Sequence, residues 1–158
     1  MRRDGLIADI LDASTLDAAA IWEIQRLAFH QQAILYNDFK LPPLVQTLEE
    51  LTQDFELHTF LKAINEKKII GSVRGKAEGT TCHISRLMVH PDYQDKGIGK
   101  MLMLAIEEKF GDAQRFELFT GHKSGKNLAL YVKLGYCEYK RIRQSSKVTL
   151  ICMEKRKV

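Results

Sequence analysis

The order of hydrophobic and polar positions predicts a chain that alternates between helices and short strands. Apolar residues at three- and four-residue spacing predict amphipathic helices over residues 14–30, 47–57 and 98–110. A fourth, shorter helix is predicted over residues 127–134, because Gly135 follows it as a helix C-cap.

Short runs of bulky apolar residues between turn residues predict seven strands. They span residues 6–11, 59–64, 69–77, 83–89, 115–120, 136–142 and 147–154. Residues 31–45 are less regular, and Pro42-Pro43 predicts a loop there because proline interrupts a helix. The element order predicts an α/β protein with a mixed sheet and one domain over residues 1–158.

Composition narrows the class of protein. Of 158 residues, 45% are hydrophobic and 28% are charged, which is ordinary for a soluble globular domain. We see no apolar run long enough for a membrane span and no signal-peptide pattern, so we expect a cytoplasmic protein. The net charge of +4 comes without a nucleic-acid-binding pattern, and we expect neither a nucleic-acid nor a membrane partner.

The cysteines do not indicate a metal site. Cys82, Cys137 and Cys152 are odd in number and widely spaced, which favours neither a disulfide framework nor a zinc site. We expect no metal and interpret all three as packing residues.

The most informative stretch is the junction between the strand 83–89 and the helix from Ile98. Gln94 to Lys100 places Gly97 and Gly99 where the helix begins. Glycines let a ligand approach the backbone closely, and the free N–H groups of a helix start bind anions. This stretch therefore predicts a phosphate or pyrophosphate site.

Two common phosphate loops are absent from this junction. Met101 follows Gly99-Lys100, which excludes a Walker loop, and Leu102 stands where the dinucleotide fingerprint needs its last glycine. The pattern that remains is Q-x-x-G-x-G after Leu-Met-Val-His-Pro. It resembles the acetyl-CoA-binding motif of the GNAT family of N-acyltransferases. A tight turn that binds nothing is the alternative.

The resemblance covers nearly the whole chain, because the element order also matches the family. It implies the GNAT fold, with a central, mostly antiparallel sheet of about seven strands and about four helices. It further implies an N-acetyltransferase that moves an acetyl group from acetyl-CoA to a primary amine by direct attack in a ternary complex.

The resemblance also implies the residues that bind acetyl-CoA. The loop would hold the pyrophosphate, and the strand end would pair with the pantetheine arm, with the backbone N–H of Leu87 toward the thioester oxygen. The implied binding residues are Leu87, Met88, Val89, Gln94, Asp95, Lys96, Gly97, Ile98, Gly99, Lys100 and Asn127.

Asn127 and Tyr131 form a second motif on one face of the last helix. With Gly135-Tyr136 they make N-x-x-x-Y-x-x-x-G-Y, which resembles the second conserved GNAT segment. There the asparagine contacts the CoA arm and the tyrosine hydroxyl lies near the sulfur as general acid. The alternative for Tyr131 is a core aromatic residue.

The general base is predicted less directly. Counting back by twos from Leu87 reaches Ser85 and His83, so strand alternation predicts that all three share a face, with Cys82 on the other. Several family members carry a glutamate base at the position of His83, and histidine titrates near neutral pH. An exposed strand histidine, with water as the base, is the alternative.

The sequence does not identify the amine acceptor. By resemblance its site is built from the segment between the first two helices and from the final strand pair. These segments offer Tyr36, Asp38, Phe39, Glu49 and residues 144–147. A non-catalytic acyl-CoA sensor and a nucleotide-phosphate binder are the competing functions, and a homodimer is a further option.

Overall fold

The structure, a computed structural model, describes residues 8–157. Seven strands of this region form one sheet: β1 Asp9–Asp12, β2 Thr59–Asn65, β3 Lys68–Glu78, β4 Thr81–Val89, β5 Arg115–Gly121, β6 Cys137–Arg143 and β7 Thr149–Arg156. Five α-helices flank it: α1 Ala18–Tyr36, α2 Pro42–Val45, α3 Leu48–Asp54, α4 Ile98–Lys109 and α5 Gly125–Lys133. In this part of the chain no helix combines the length and the apolar character that crossing a bilayer requires.

The strands lie in the order β1-β2-β3-β4-β5-β7-β6. Every neighbouring pair is antiparallel except β4 and β5, which run parallel and are connected through α4. The predicted α/β class and mostly antiparallel seven-stranded sheet are therefore confirmed, with five α-helices where about four were predicted.

Two hydrophobic cores lie on opposite faces of the sheet. On one face, α4 packs Leu102 and Ile106 against Ile84 of β4 and Phe116 of β5. On the other, α1 and α3 pack residues such as Ile21 and Leu51 against Phe60 and Met88. Burial of these apolar side chains fixes both layers on the sheet.

The first helix is longer than predicted. It continues through residues 31–36, which we had placed in an irregular segment, because Ala33 and Tyr36 are buried against Leu41 and Val148. It ends at Asn37, whose φ of 51° is the left-handed conformation that asparagine tolerates better than most residues.

The prediction of a loop at Pro42-Pro43 is also wrong. Both prolines occupy the first turn of the short helix α2, where the missing N–H groups cost nothing. The other predicted helices differ only at their ends. Capping boxes form at Ser14 and Thr47, with Asp17 and Glu50 as their partners. Of the predicted first strand, residues 6 and 7 lie outside the described residues.

Candidate active site

The site begins where β4 and β5 separate. The two strands pair only from Thr81–Arg115 to His83–Glu117, and beyond that point they diverge. The edge of β4 that faces β5 is therefore without a neighbouring strand from Ile84 to its end at Val89. Unpaired backbone groups beside a cleft can bond an extended ligand as a further strand would.

A β-bulge at Arg86 changes the alternation of β4. Ser72 lies opposite Met88 and Arg74 opposite Ser85, so one residue of β3 faces two residues of β4. Arg86 has a φ of 53°, the left-handed region in which non-glycine residues are strained. As a result neither Arg86 nor Leu87 has a register partner on β3.

The bulge overturns the predicted shared face. Leu87 packs in the α4 core with Cys82 and Ile84, whereas Ser85 bonds Arg74 on the opposite face. His83 alternates with Cys82 and Ile84 and therefore also lies opposite Leu87. The predictions that Leu87 shares a face with Ser85 and His83, and that Cys82 faces away from it, are wrong because counting by twos fails across a bulge.

The start of α4 lies at the glycine-containing junction where the sequence predicts an anion site. Gly97 is its N-cap with a φ of 86°, and no side chain caps the helix. Met101 donates the first intrahelical bond, to the carbonyl of Gly97. The N–H groups of Ile98, Gly99 and Lys100 therefore have no acceptor within the helix. Three free amides at the positive end of a helix dipole favour a bound phosphate.

A groove of about 460 Å³ runs from this loop along β4 to α5. It is lined by ten of the eleven residues predicted to bind acetyl-CoA: Leu87, Met88, Val89, Gln94, Asp95, Gly97, Ile98, Gly99, Lys100 and Asn127. Lys96 does not line it. Lys123, before α5, and Lys126, in the first turn of α5, do, and Lys126 forms an ion pair at 2.9 Å with Asp95 Oδ2, which also lines the groove.

The side chain of Gln94 holds the loop rather than pointing to a ligand. Its amide donates to the backbone oxygen of Val89 and to Gln31 Oε1, both at 3.0 Å. These bonds tie the end of β4 to α1 and to the loop. Gln94 therefore acts on the groove by positioning its neighbours.

A second cavity of about 170 Å³ opens next to the groove, between α1, α2, the diverging strands and the β6–β7 connection. The two share Phe29, Gln32, Leu87, Ser124 and Asn127 as lining residues. We name the larger one the groove and the smaller one the acceptor cavity. Their junction, at Leu87 and Asn127, is the place where two ligands would meet.

Tyr131 lines the acceptor cavity one helical turn from Asn127. Within residues 8–157 its hydroxyl bonds no other protein group, although only 5% of the residue is exposed. Burial raises the pKa of Tyr131, which keeps the phenol protonated. The acceptor cavity thus presents, next to the junction, a phenol hydroxyl that no described residue bonds.

His83 lines neither the groove nor the acceptor cavity. Its Nδ1 lies 2.6 Å from Glu117 Oε1, and its Nε2 lies 3.4 Å from Glu78 Oε1. Both ring nitrogens therefore face carboxylates, and the predicted role of His83 as base gains no support from this placement. That role stays a prediction.

The cysteines are free thiols. Cys82 lies fully buried in the α4 core, and burial raises the pKa of its thiol to about 12. It is protonated at neutral pH and is therefore a poor nucleophile. Cys152 is also buried, and Cys137 is exposed on β6.

Sequence reasoning missed how the wall between groove and cavity is built. The Tyr36 hydroxyl lies 2.7 Å from Ser124 Oγ and accepts the backbone N–H of Lys123 at 2.9 Å. Ser124 Oγ in turn donates to Gln32 Oε1 at 2.9 Å. These bonds join α1 to the segment before α5, 87 to 92 residues away along the chain. Apart from Tyr36, a candidate acceptor residue, no sequence pattern marks these contacts.

Of the other candidate acceptor residues, Gln144 lines the acceptor cavity. Asp38, Phe39 and Glu49 do not. Arg86, which the sequence analysis did not single out, does. A bulge that turns its side chain toward α2 is not visible in a strand pattern.

Comparison with known proteins places this geometry among acetyltransferases. The family model described as "Acetyltransferase (GNAT) family" matches residues 19–136. The chain is 31% identical over 77 residues to the N-terminal acetyltransferase B complex catalytic subunit NAA20 of Arabidopsis thaliana, covering 47% of this chain and 44% of that protein. It is 25% identical over 119 residues to the UPF0157 protein YqkA of Bacillus subtilis, covering 75% of this chain and 34% of that protein. The chain thus spans less than half the length of either relative.

Solved structures agree over nearly the whole chain. The PaiA N-acetyltransferase of Thermoplasma acidophilum, in complex with coenzyme A, has a TM-score of 0.76 at 19% identity, over 95% of this chain and 99% of that one. The ribosomal-protein-S18-alanine N-acetyltransferase of Escherichia coli has a TM-score of 0.79 at 17% identity, over 95% and 94%. At such identities the likeness shows the fold alone.

Gly121→Ala tests the contact between α1 and the segment before α5. A Cβ at Gly121 would lie 2.0 Å from the Tyr36 hydroxyl oxygen, so the phenol has to move and its bonds break. We expect the free energy of unfolding to fall by about 1–3 kcal/mol, measured by chemical denaturation. Gly125→Ala is the control, because its Cβ would meet no atom within 4 Å. Equal stability of the two variants would contradict the contact.

Proposed function

Because the chain belongs to the acetyltransferase (GNAT) family, we propose that it transfers an acetyl group from acetyl-CoA to a primary amine. The observation that carries the proposal is the junction of the groove and the acceptor cavity at Leu87 and Asn127, beside the unbonded hydroxyl of Tyr131. Acetyl-CoA supplies the activated acetyl group. The protein's own residues hold and orient the two substrates and donate hydrogen bonds to the charge that develops.

The groove fits a nucleotide thioester. The free amides of Ile98, Gly99 and Lys100 suit a pyrophosphate, and Gly97 and Gly99 leave the backbone accessible. Lys123 and Lys126 also line the groove, where their positive charge favours a phosphate group, although Lys126 is paired with Asp95. The unpaired edge of β4 offers backbone groups to the amides of a pantetheine arm.

The bulge supplies the proposed oxyanion donor. Leu87 has no register partner on β3 because the bulge interrupts the pairing there, and we propose its N–H as the donor. It lies at the junction of the two cavities, where a thioester carbonyl would sit. A fixed backbone donor at this place stabilises negative charge that develops on the carbonyl oxygen.

Tyr131 is the proposed hydrogen-bond donor to the departing thiolate, with proton transfer secondary because a phenol is a weaker acid than a thiol. Because burial raises the pKa of its phenol, the hydroxyl stays protonated and donates a hydrogen bond to developing negative charge. Asn127, one turn earlier on α5, lines both cavities and positions the donor beside Tyr131. With Cys82 protonated and buried, direct attack by the amine needs no covalent intermediate on the enzyme.

We further propose cytoplasmic residence and a homodimer. The exposed free thiol of Cys137 suits a reducing compartment. Strand β6 is exposed along its whole length and forms one edge of the sheet, which is where a second copy would pack.

The principal experiment measures donor binding and turnover separately. We expect acetyl-CoA to raise the melting temperature, as any ligand that binds only the folded state does. We expect thiol release when amines from a panel of small amines, amino acids and peptides are added. Binding without turnover on any amine would favour the acyl-CoA sensor instead.

Gly99→Ala tests the groove as the donor site. A Cβ at Gly99 would lie 3.5 Å from Leu130 and 3.9 Å from Leu87, so the protein accommodates it without strain. Alanine in a helix is favoured over glycine by up to about 1 kcal/mol, so stability should be unchanged or higher. We expect acetyl-CoA affinity to fall about tenfold because the methyl group enters the groove. Unchanged affinity by calorimetry would place the donor elsewhere.

Tyr131→Phe tests the proposed acid. The variant keeps the ring and removes the hydroxyl, so acetyl-CoA affinity should stay within about twofold while kcat falls about 10- to 100-fold. Steady-state thiol release and calorimetric titration measure the two quantities. An unchanged kcat would remove Tyr131 from the mechanism.

His83→Gln tests the base. Because the imidazole faces Glu117 and Glu78 outside both cavities, we expect kcat/KM to change by less than about threefold between pH 6 and pH 9. Water then accepts the amine proton. A loss of tenfold or more, with a shifted acidic limb of the pH profile, would restore His83 as the base.

A further inference from the structure

The acceptor cavity has an unusual charge. Of the described residues that line it, Arg86 alone is charged, and the rest are apolar or neutral polar side chains. No carboxylate lines the cavity to attract a cationic acceptor. Whatever amine enters it therefore meets one guanidinium and no compensating negative charge.

Arg86 has no ion-pair partner among residues 8–157. Within residues 8–157 its one hydrogen bond to a side chain runs from Nη1 to the neutral Gln46 Oε1, at 2.9 Å. The residue is only partly exposed, and burial together with the neighbouring charge of Arg74 lowers the pKa of its guanidinium to about 10, with Asp54 acting in the opposite direction. It remains cationic at neutral pH. A charge held in such a place is costly unless something pairs with it.

The nearest carboxylate is already engaged. Asp54 Oδ2 accepts from Arg74 Nη1 at 2.7 Å and from Gln46 Nε2 at 2.8 Å. Arg74 also donates to Ser85 Oγ at 3.2 Å. Asp54 is paired with Arg74, so the cluster of Asp54, Arg74 and Arg86 carries a net positive charge next to the acceptor cavity.

Protein architecture does not explain this arginine. The bulge holds Arg86 at a φ of 53°, a conformation that costs free energy for a non-glycine residue. The same bulge places it next to Leu87, the proposed oxyanion donor. An anchor at this position would be one residue away from the reacting centre.

We propose that Arg86 binds a carboxylate of the acceptor, so that the substrate is a primary amine that carries an acidic group near the amine. This inference rests on the proposed acetyl transfer. A guanidinium binds a carboxylate with two charge-assisted hydrogen bonds, which orients as well as holds it. The same positive charge disfavours polycationic amines and favours the neutral, nucleophilic form of the bound amine.

Two sources supply this chemistry. A free amino acid brings its α-carboxylate, and a peptide brings an acidic side chain next to its N-terminal amine. The two are distinguished by assaying free amino acids against their carboxamides, and peptides with Asp at the second position against the same peptides with Asn.

The test compares kcat/KM across these matched pairs by following thiol release from acetyl-CoA. For wild-type protein we expect the carboxylate member of at least one pair to be preferred about 10- to 100-fold. Cadaverine, a diamine without a carboxylate, should be a poor acceptor. The variant Arg86→Met keeps an unbranched side chain and removes the charge. In this variant the preference should vanish because kcat/KM falls for the carboxylate member of each pair and stays the same for the other member.

The control is Arg141→Met, which removes the same charge from the exposed strand β6, where Arg141 pairs with Glu138. It should keep the wild-type preference. Arg86→Lys keeps the charge without the planar fork and should retain part of the preference. Acetyl-CoA affinity and melting temperature, measured for each variant, show that donor binding and folding are intact.

The outcomes separate the two proposals. No thiol release with any amine would defeat the proposed acetyl transfer itself. If carboxamides or cadaverine are acetylated with the same kcat/KM as the carboxylate-bearing amines, acetyl transfer is supported and the proposed role of Arg86 is wrong. An unchanged preference in Arg86→Met, with folding intact, would overturn it as well.

Discussion

Strands β4 and β5 share three residue pairs and then separate, and the rest of the site depends on this divergence. If the two strands stayed paired, their facing backbone groups would all bond one another, and no free strand edge would remain for a ligand. Because they part after His83 and Glu117, the groove opens on one side of the gap and the acceptor cavity next to it. The helices α4 and α5 then line the gap with a free helix N-terminus and a buried phenol.

The bulge at Arg86 sets which side chains of β4 face the gap between the diverging strands. By inserting one residue into β4, it turns Leu87 toward the α4 core while Ser85 and Arg86 bond groups on the opposite face. A single strained residue therefore places a backbone donor and a cationic side chain at neighbouring positions. Bulges beside functional sites commonly re-aim side chains in this way, and here the strained φ is what both proposed contacts require.

The far wall of the site is made by distant parts of the chain. The helix α1 extends beyond its predicted end so that Gln32 and Tyr36 reach Ser124 and Lys123 near α5. On the same side of the sheet, Gln46 links Arg86 to Asp54. The segment between α1 and α3, which carries no motif, therefore shapes the acceptor cavity through Leu41, Pro42 and Pro43 and holds Arg86 through Gln46.

The amino-acid sequence by itself determined the fold class, the element order and the strand-to-helix junction at Gly97 and Gly99. These depend on local patterns: hydrophobic period, turn residues and the glycines that a helix start needs for close approach. Only the tertiary structure decided which residues share a face of β4, how far α1 runs, and that Arg86 rather than an acidic residue lines the acceptor cavity. The bulge depends on the pairing of β4 with β3, and the helix length and the cavity charge depend on burial against distant strands. The local spacing of residues therefore predicts none of the three.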